Sequence, residues 1–376
     1  MNSRPSLTRR RFLQATATLA ASSAGDAPAL ALISLDKPSR ADYLAQADIL
    51  VETLQTKRFR TEPYSQWGDE QNAWNTCNTL EALIDYTQIT GNRRYYDQIH
   101  HAATDQVLLK KVMGDGVDDE AWAGIVMVKA YRLTKERSCL DAAKIIFDSM
   151  TTYWDDTCGG GVWWNFTRTY KNAITNELFL VLATQLYRET RTPLYLEWAK
   201  KEWDWFARSG MINADNLIND GLHECKNNNG ETWTYNQGVV LGGLVELSRI
   251  TGDKMYREQA VKIAGAVMTK MSPLRNGVPI LQEVGGELNH DQQQFKGIFM
   301  RYLANLALVL PEKGTPGRKA IRDYICANAT SLWRIARTDQ NEINAYWHET
   351  ERKPIYTTIT QTSCLDLLNA ALSLTK

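Results

Sequence analysis

The stretch Leu80–Tyr95, LEALIDYTQITGNRRY, carries the pattern that decides the fold. Its apolar residues recur every three or four positions as far as Thr90, which is the spacing of a helix with a buried face. Gly91 then ends the helix, and a second, more polar helical stretch follows from Tyr95. A helix, a tight turn and a returning helix form a helical hairpin.

The hairpin pattern begins with ADYLAQADILVETL (41–54) and repeats along the chain. The five-residue offset from a terminal threonine recurs in Thr134 with Cys139, Thr190 with Tyr195, and Thr251 with Tyr256. The length accommodates six hairpins, which can close into an (α/α)6 barrel, whereas fewer would form an open solenoid. Closure is favoured because the first helices are apolar nearly all round, as helices of a buried inner ring must be. We therefore predict an all-α fold, an (α/α)6 barrel of six helical hairpins with the active site in a loop-rimmed groove at one end.

The N-terminal segment has a different character. TRRRFLQ (8–14) is a twin-arginine pattern, and the weakly apolar run ATATLAASSAG follows it, with small-x-small cleavage sites at Ala29 and Ala31. We predict a twin-arginine signal peptide in residues 1–31 that is removed on export to the periplasm or the extracellular space. An ordinary disordered tail is the alternative. Since no Pro/Ser/Gly-rich linker divides residues 41–376, we predict that they form a single catalytic domain.

Charge and composition limit the classes of partner. The 376 residues are 44% hydrophobic and include 43 basic and 43 acidic side chains. Zero net charge gives no electrostatic footprint for nucleic acid or for an anionic membrane. The apolar run after the twin arginines is too short to span a bilayer. We therefore expect no nucleic-acid partner, no membrane span and a monomeric protein.

Cysteine and histidine spacing gives no indication of a metal centre. The six cysteines form no CxxC pair, and the five histidines form no HxxxH or HExxH pattern. We expect neither a metal site nor a cofactor. One disulfide remains possible, although the sequence does not name its two cysteines.

Two adjacent carboxylates, Asp118 and Asp119, follow a glycine-broken loop in MGDGVDDEAW (113–122). Acids at the start of a helix often only cap it, because the helix dipole and free N–H groups favour negative charge there. Cleavage of a glycosidic bond, however, needs two carboxyl groups, which lie about 5–5.5 Å apart in retaining enzymes. Neighbouring residues at a helix start can reach that separation and share one proton. We expect Trp122 to lie beside the pair and to contact the substrate.

Long loops supply further candidates, because long connections in compact domains usually carry function. They are 57–74, 112–118, 155–173, 210–234, 272–291 and 337–357, placed where an inner ring would open to solvent. Two rigid aromatics that follow three glycines can stack on a pyranose, or pack in the core: Trp163 and Trp164. Polar and aromatic groups of the next loop can hold sugar hydroxyls, or serve as loop and cap hydrogen bonds: Asp220, Trp233, Tyr235, Asn236 and Gln237.

The segment GDGVDDEAW (114–122) resembles the catalytic segment of glycoside hydrolase family 76, the α-1,6-mannanases. The resemblance extends in order through five other stretches: WNTCNTLEALIDYTQITGNRRY (74–95), CGGGVWWN with KNAITNELFLVLATQLY (158–187), ETWTYNQGVVLGGLVEL (231–247), FKGIFMRYLANL (295–306) and QTSCLDLL (361–368). It implies an (α/α)6 barrel and retaining, endo-acting cleavage of α-1,6-linked mannan. By position, Asp118 matches the nucleophile and Asp119 the general acid/base.

Three other functions remain open from the sequence. A mannan transglycosidase would use the same covalent intermediate, with a sugar in place of water as the acceptor. A sugar 2-epimerase would use a similar helical barrel, with His223 and His290 as candidates for proton abstraction. A helical barrel that binds glycans without cleaving them is the non-enzymatic alternative.

Overall fold

Helices make up most of the chain. The computed structural model describes residues 38–68, 72–113, 116–314, 316–348 and 352–376, so the predicted signal peptide, residues 1–31, lies outside the described residues. In chain order the helices of this part are α1 (Arg40–Thr53), α2 (Ala73–Thr90), α3 (Tyr96–Ala103), α4 (Gln106–Val112), α5 (Val117–Thr134), α6 (Arg137–Thr151), α7 (Ala173–Thr190), α8 (Pro193–Phe206), α9 (Thr234–Thr251), α10 (Lys254–Lys270), α11 (Gln292–Val309), α12 (Arg318–Ser331) and α13 (Thr358–Leu374). Short strands lie in the connections: β1 (Phe59–Arg60), β2 (Gln66–Trp67), β3 (Lys171–Asn172), β4 (Gly221–His223), β5 (Lys226–Asn227), β6 (Leu274–Arg275) and β7 (Val278–Pro279).

Six helices form a closed inner ring. Each packs against the next in the order α2, α5, α7, α9, α11 and α13, and α13 returns to α2. The remaining helices pack outside this ring, α6 against α5 and α8 against α7, for example. The predicted (α/α)6 barrel is therefore confirmed. One detail of the prediction is wrong, because the apolar first helix α1 belongs to the outer ring, where it packs against α13 and closes the barrel.

Burial separates the two rings. Nearly every residue of the inner helices α11 and α13 is buried. The outer helix α6 instead buries one stripe, formed by Cys139, Leu140, Ala143, Ile146, Phe147 and Met150. An inner helix has protein on all sides, so an apolar residue is favourable at almost any of its positions.

The repeated threonines have a structural role at the ends of inner helices. α2, α5, α7 and α9 end at Thr90, Thr134, Thr190 and Thr251, and the next residue is left-handed each time, with φ between 58° and 76°. In each case the threonine hydroxyl donates to the carbonyl four residues earlier, over 2.7–2.8 Å. It also accepts the N–H two residues later, over 3.1–3.2 Å. The threonine therefore turns the chain from an inner helix into an outer one.

The connections that enter the inner helices are longer than those that leave them. Four of the short exits are 91–95, 135–136, 191–192 and 252–253, whereas the entries to α7, α9, α11 and α13 are 152–172, 207–233, 271–291 and 332–357. The long loops thus gather at the N-terminal ends of the inner helices, as predicted for one end of the barrel. Two of them are joined directly: β3 of one loop pairs antiparallel with β4 of the next, and a disulfide links Cys158 to Cys225.

Candidate active site

The two adjacent aspartates lie in the first turn of α5. Gly116 is the N-cap, Val117 begins the helix, and Asp118 and Asp119 follow, both half-buried. Asp118 Oδ1 accepts the backbone N–H of Asp119 over 3.0 Å. The carboxylate therefore folds back onto the start of its own helix, where the free N–H groups stabilise negative charge.

Trp164 holds Asp118 from the neighbouring loop. Its indole Nε1–H donates to both carboxylate oxygens, over 3.2 Å to Oδ1 and 3.0 Å to Oδ2. Its backbone carbonyl accepts the N–H of Val117 over 2.9 Å, so the loop is fixed to the helix that carries the aspartates. The Trp164 side chain is still 40% exposed. One face of the ring is therefore available to a ligand beside Asp118.

The charge state of Asp118 reflects two opposing effects. Burial raises the pKa of Asp118 to about 6, although hydrogen bonds from the Asp119 backbone, Trp164 and Asn172 act to lower it. These donors stabilise the carboxylate form, whereas burial favours the neutral acid. Asp118 therefore titrates near neutral pH and is ionised above about pH 6.

A chain of packed aromatic rings begins at Trp122, about one helical turn beyond Asp118 in α5. Trp122 stacks on Trp74 with ring centres 6.0 Å apart, and Trp74 packs on Phe295 at 6.4 Å. Phe295 stacks on Tyr235 at 3.8 Å and 9°. Trp122 is only 3% exposed, so the expected contact between Trp122 and a sugar is not supported. Its indole instead forms the apolar support of the site, which lowers the local dielectric.

Asp220 brings a third carboxylate to the same region. The Tyr170 hydroxyl donates to it, and Asn228 Nδ2 donates to that hydroxyl over 3.0 Å. Burial raises the pKa of Asp220, against hydrogen bonds from Tyr170 and Trp233. The pKa of Tyr235 is raised by burial first, and then by the carboxylates of Asp118 and Asp220, which places it within reach of both. Asp220, Trp233 and Tyr235 therefore lie together with the aspartate pair, and all three are half-buried.

Three other candidates lie inside the fold. Gln237 is fully buried, and its amide bonds the backbone N–H and C=O of Ile218 over 2.8 Å each. Trp163 is 8% exposed and donates to Asp155 over 2.8 Å. Gln237 thus fastens a loop, and Trp163 supports the ion pair between buried Lys171 and the partly exposed Asp155, so the described contacts of both side chains lie within the protein. Asn236 is also fully buried, although neither atom of its amide has a hydrogen-bond partner among the described residues.

Tyr170 and Asn172 contribute to the site without having been predicted for it. Asn172 caps α7 by accepting the N–H of Thr175 over 3.3 Å, and it also hydrogen-bonds Asp118. From the sequence, only the helix-capping role of Asn172 could be predicted. The pairing of β3 with β4, which brings Tyr170 next to Asp220, joins residues about 50 positions apart and leaves no local pattern.

Two further findings on the described part of the chain concern metal ions and membranes. No group of three or more His, Cys, Asp or Glu side chains there is arranged to hold a metal ion. Among the same residues, no helix combines the length and apolar character needed to cross a bilayer.

Comparisons with known proteins agree on one family. A profile of glycosyl hydrolase family 76 matches residues 43–376. Mannan endo-1,6-alpha-mannosidase DCW1 of Candida albicans is 27% identical over 277 residues, which are 66% of this chain and 60% of that protein. The match thus spans 60% of the length of that curated relative. The Candida glabrata protein of the same name is 26% identical over 338 residues, covering 82% of this chain and 72% of its own.

Solved structures show the same fold. The GH76A α-1,6-mannanase from Salegentibacter sp. HEL1_6 is 25% identical, with a TM-score of 0.78 over 89% of this chain and 100% of its own. A second structure is an inactive variant of that mannanase, with two consecutive aspartates replaced by alanine, in complex with α-1,6-mannotetrose. The variant is 24% identical to this chain, with a TM-score of 0.75 over 90% of this chain and 100% of its own. Because the family profile matches almost the whole described chain, this protein belongs to glycosyl hydrolase family 76.

Proposed function

We propose that this protein is a retaining, endo-acting α-1,6-mannanase in which Asp118 is the nucleophile and Asp119 the general acid/base. One observation carries the proposal: Asp118 lies half-buried beside the partly exposed ring of Trp164 and next to a second carboxyl group, and the hydrogen bonds described for it come from N–H groups. Family membership and the α-1,6-mannan activity named for the relatives support the choice of substrate.

The order of the two roles has a physical basis. N–H donors can only donate, so they stabilise the carboxylate form of Asp118 and aim its lone pairs. A nucleophile needs that form. Asp119 lies next to this negative charge, and two neighbouring carboxyl groups most readily share a single proton. Above about pH 6, where Asp118 is ionised, a proton held by Asp119 would supply the general acid.

The reaction would proceed in two displacements. Asp118 attacks the anomeric carbon while Asp119 protonates the departing glycosidic oxygen, which gives a β-linked mannosyl ester on Asp118. Asp119, now a carboxylate, removes a proton from water, and the water breaks the ester from the opposite face. Two inversions leave the product in the α configuration. The exposed face of Trp164 stacks against a sugar ring next to the cleaved bond.

Azide rescue tests both roles at once. In Asp118→Ala, azide takes the place of the nucleophile and attacks the substrate directly, so the expected product is a β-mannosyl azide. In Asp119→Ala, assayed with a good leaving group that needs no protonation, azide attacks the mannosyl enzyme and gives an α-mannosyl azide. Both variants should lose nearly all hydrolysis of linear α-1,6-mannan while keeping the far-UV spectrum of the parent.

The activities of the two variants and the products of the parent enzyme distinguish the proposed hydrolase from the alternative functions. Parental mannan hydrolysis in either variant would reject the assignment of the site, and exchanged azide configurations would reverse the two roles. Products longer than the starting oligosaccharide would identify the protein as a mannan transglycosidase. Saccharide binding without new reducing ends would leave only a binding function.

Export through the twin-arginine route is a separate proposal. It rests on TRRRFLQ (8–14) and on the Cys158–Cys225 disulfide, since disulfides persist in oxidising compartments. The test is a reporter fused to residues 1–40 in bacterial strains with and without a functional twin-arginine translocase. Replacement of Arg9, Arg10 and Arg11 by lysine should retain the reporter in the cytoplasm, and continued export would reject the route.

A further inference from the structure

The indole of Trp164 is placed by backbone contacts and not only by its own side chain. The backbone N–H of Trp164 donates to the carbonyl of Tyr170 over 2.9 Å, and the backbone carbonyl of Trp164 accepts the N–H of Val117 over 2.9 Å. Its ring also packs edge-on against Tyr170, with ring centres 6.4 Å apart. A side chain held at these points is pre-organised, so the hydrogen bond from Nε1 to both oxygens of Asp118 costs little further ordering.

The position of Gly116 excludes a side chain, although its backbone conformation does not require glycine. Its φ of −124° and ψ of 157° are extended values that any residue adopts. A Cβ built at this position, however, would lie 2.5 Å from Oδ1 of Asp118 and 3.5 Å from Nε1 of Trp164. The space that a side chain would need is therefore occupied by the carboxylate. Since the nearest atom belongs to a side chain and not to the backbone, a methyl group would displace the carboxylate from its hydrogen bonds and leave the helix in place.

We infer that Trp164 and Gly116 are positioning residues for the nucleophile: the Trp164 N–H fixes the carboxylate of Asp118, and Gly116 leaves the space in which that carboxylate must lie. The inference rests on the proposed function, in which Asp118 attacks the substrate. It assigns to Trp164 a second role besides its exposed face, and it explains why the residue before Val117 is glycine although no left-handed backbone requires it.

Trp164→Phe separates the two roles of Trp164. The ring remains, so substrate stacking and KM should change little. The N–H is lost, and because this donor favours the charged carboxylate, the pKa of Asp118 should rise. We expect the acid limb of kcat/KM against pH to move up by about one pH unit. A residue that only stabilised the fold would lower the amount of active protein without moving that limb.

Trp163→Phe is the matched control. Trp163 lies in the same loop and also donates its indole N–H to a carboxylate, that of Asp155, over 2.8 Å. Its loss should lower the melting temperature and leave the acid limb of the pH profile where it is. The contrast between the two tryptophans therefore distinguishes an effect on the nucleophile from a general effect on the loop.

Gly116→Ala tests the space requirement. A displaced nucleophile should lower kcat roughly 10- to 100-fold, since small misplacements of reacting groups have effects of this size. The melting temperature should stay close to that of the parent. Gly286→Ala is the control, because a Cβ there meets no atom within 4 Å, and it should leave kcat unchanged.

Two results would overturn the inference: an acid limb in Trp164→Phe identical to that of the parent, or parental kcat in Gly116→Ala. These failures differ from a failure of the proposed function. If Asp118→Ala is inactive and rescued by azide while Trp164→Phe and Gly116→Ala behave as the parent, only the positioning roles are wrong. If Asp118→Ala hydrolyses mannan normally, the proposed function itself is wrong.

Discussion

Carboxylates lie at two levels inside the ring of inner helices, and they are held in different ways. At the N-terminal ends, Asp118 accepts N–H groups of neutral partners. Farther along the same helices, Glu81 and Asp366 bind the guanidinium of Arg301, with 2.8 Å between Arg301 Nη2 and Asp366 Oδ2. Lys129 lies 2.7 Å from Glu81 as well. The deeper carboxylates are paired with cations, and Asp118 is not paired with one in the contacts described.

The surroundings of these carboxylates set their charge and their access to solvent differently. Arg301 and Lys129 hold the pKa of Glu81 below its ordinary value despite full burial, so this carboxylate stays charged and fixed. At Asp118, burial outweighs the neutral donors and raises the pKa to about 6. Burial also raises the pKa of Asp366 to about 6, against the opposing effect of Arg301, but Asp366 is closed to solvent whereas Asp118 is only half-buried. A group that titrates near neutral pH and is partly open to solvent can take part in chemistry, whereas a locked ion pair cannot. The following variants test that contrast.

Arg301→Met should have the largest effect on stability. It leaves Glu81 and Asp366 buried without their main cation, and breaking a buried ion pair in this way costs about 3–5 kcal/mol. The free energy of unfolding in guanidinium chloride measures it. Lys144→Met, which breaks an exposed pair with Asp141, is the control and should cost less than about 1 kcal/mol. Equal losses would show that the deep cluster is not the structural anchor of the barrel.

Loss of the Cys158–Cys225 disulfide should cause the second-largest loss of stability. It acts on the loops at the N-terminal ends of the inner helices, where Asp118 lies. The bond closes a loop of 67 residues and joins the two loops that carry Trp164 and Asp220. The double variant Cys158→Ser/Cys225→Ser should lose roughly 2–4 kcal/mol of unfolding free energy, with lower mannan hydrolysis as the loops loosen. Reduction of the parent protein should reproduce both losses. Full stability and activity after reduction would contradict this account.

Asp118→Asn should change stability in the opposite direction. The folded-state pKa of about 6 exceeds the unfolded value of about 3.9, so the folded state binds this proton more tightly. The resulting stabilisation is fully present below about pH 4 and is lost as the pH rises through 6. Removing the charge should therefore raise the unfolding free energy at pH 7.5 by about 1–3 kcal/mol and change it little at pH 4. A loss of stability at pH 7.5 would show that the charge of Asp118 is compensated after all.

Phe166→Ala should have the smallest effect. Phe166 is 77% exposed and lies in the same loop as Trp164, which suits an additional contact with a sugar of a long chain. We expect KM to rise roughly two- to fivefold for mannan and to stay unchanged for the shortest substrate that is cleaved. Ile145→Ala, at an exposed position of the outer helix α6, should change neither value. An equal rise for short and long substrates would reject the contact.

Much of the fold followed from local patterns. Apolar spacing and the terminal threonines predicted the hairpins, and the ends of α2, α5, α7 and α9 at those threonines are confirmed. The outer position of α1 could not be read in the same way, because its apolar residues resemble those of an inner helix and its neighbour α13 lies at the far end of the chain.

The candidate site was only partly accessible to sequence reasoning. The chemical character of the aspartate pair indicated that position, but which loop residues face the groove depends on how distant loops pair. Gln237 and Trp163 carry groups that could hold a sugar, yet they use them on the backbone of Ile218 and on Asp155. Gly116 reads as a helix breaker in the sequence, and only the packed carboxylate of Asp118 shows why a Cβ is excluded.

We propose above all that Asp118 forms a covalent bond with the substrate. The most direct measurement traps that bond in Asp119→Asn, which lacks the base for the second step, with a 2-fluoro-mannosyl donor that carries a good leaving group. Peptide mapping by mass spectrometry then locates the sugar. We expect a mannosyl adduct on Asp118, with a first-formed product of α configuration in the parent enzyme. An adduct on another residue, or a β product from the parent, would contradict it.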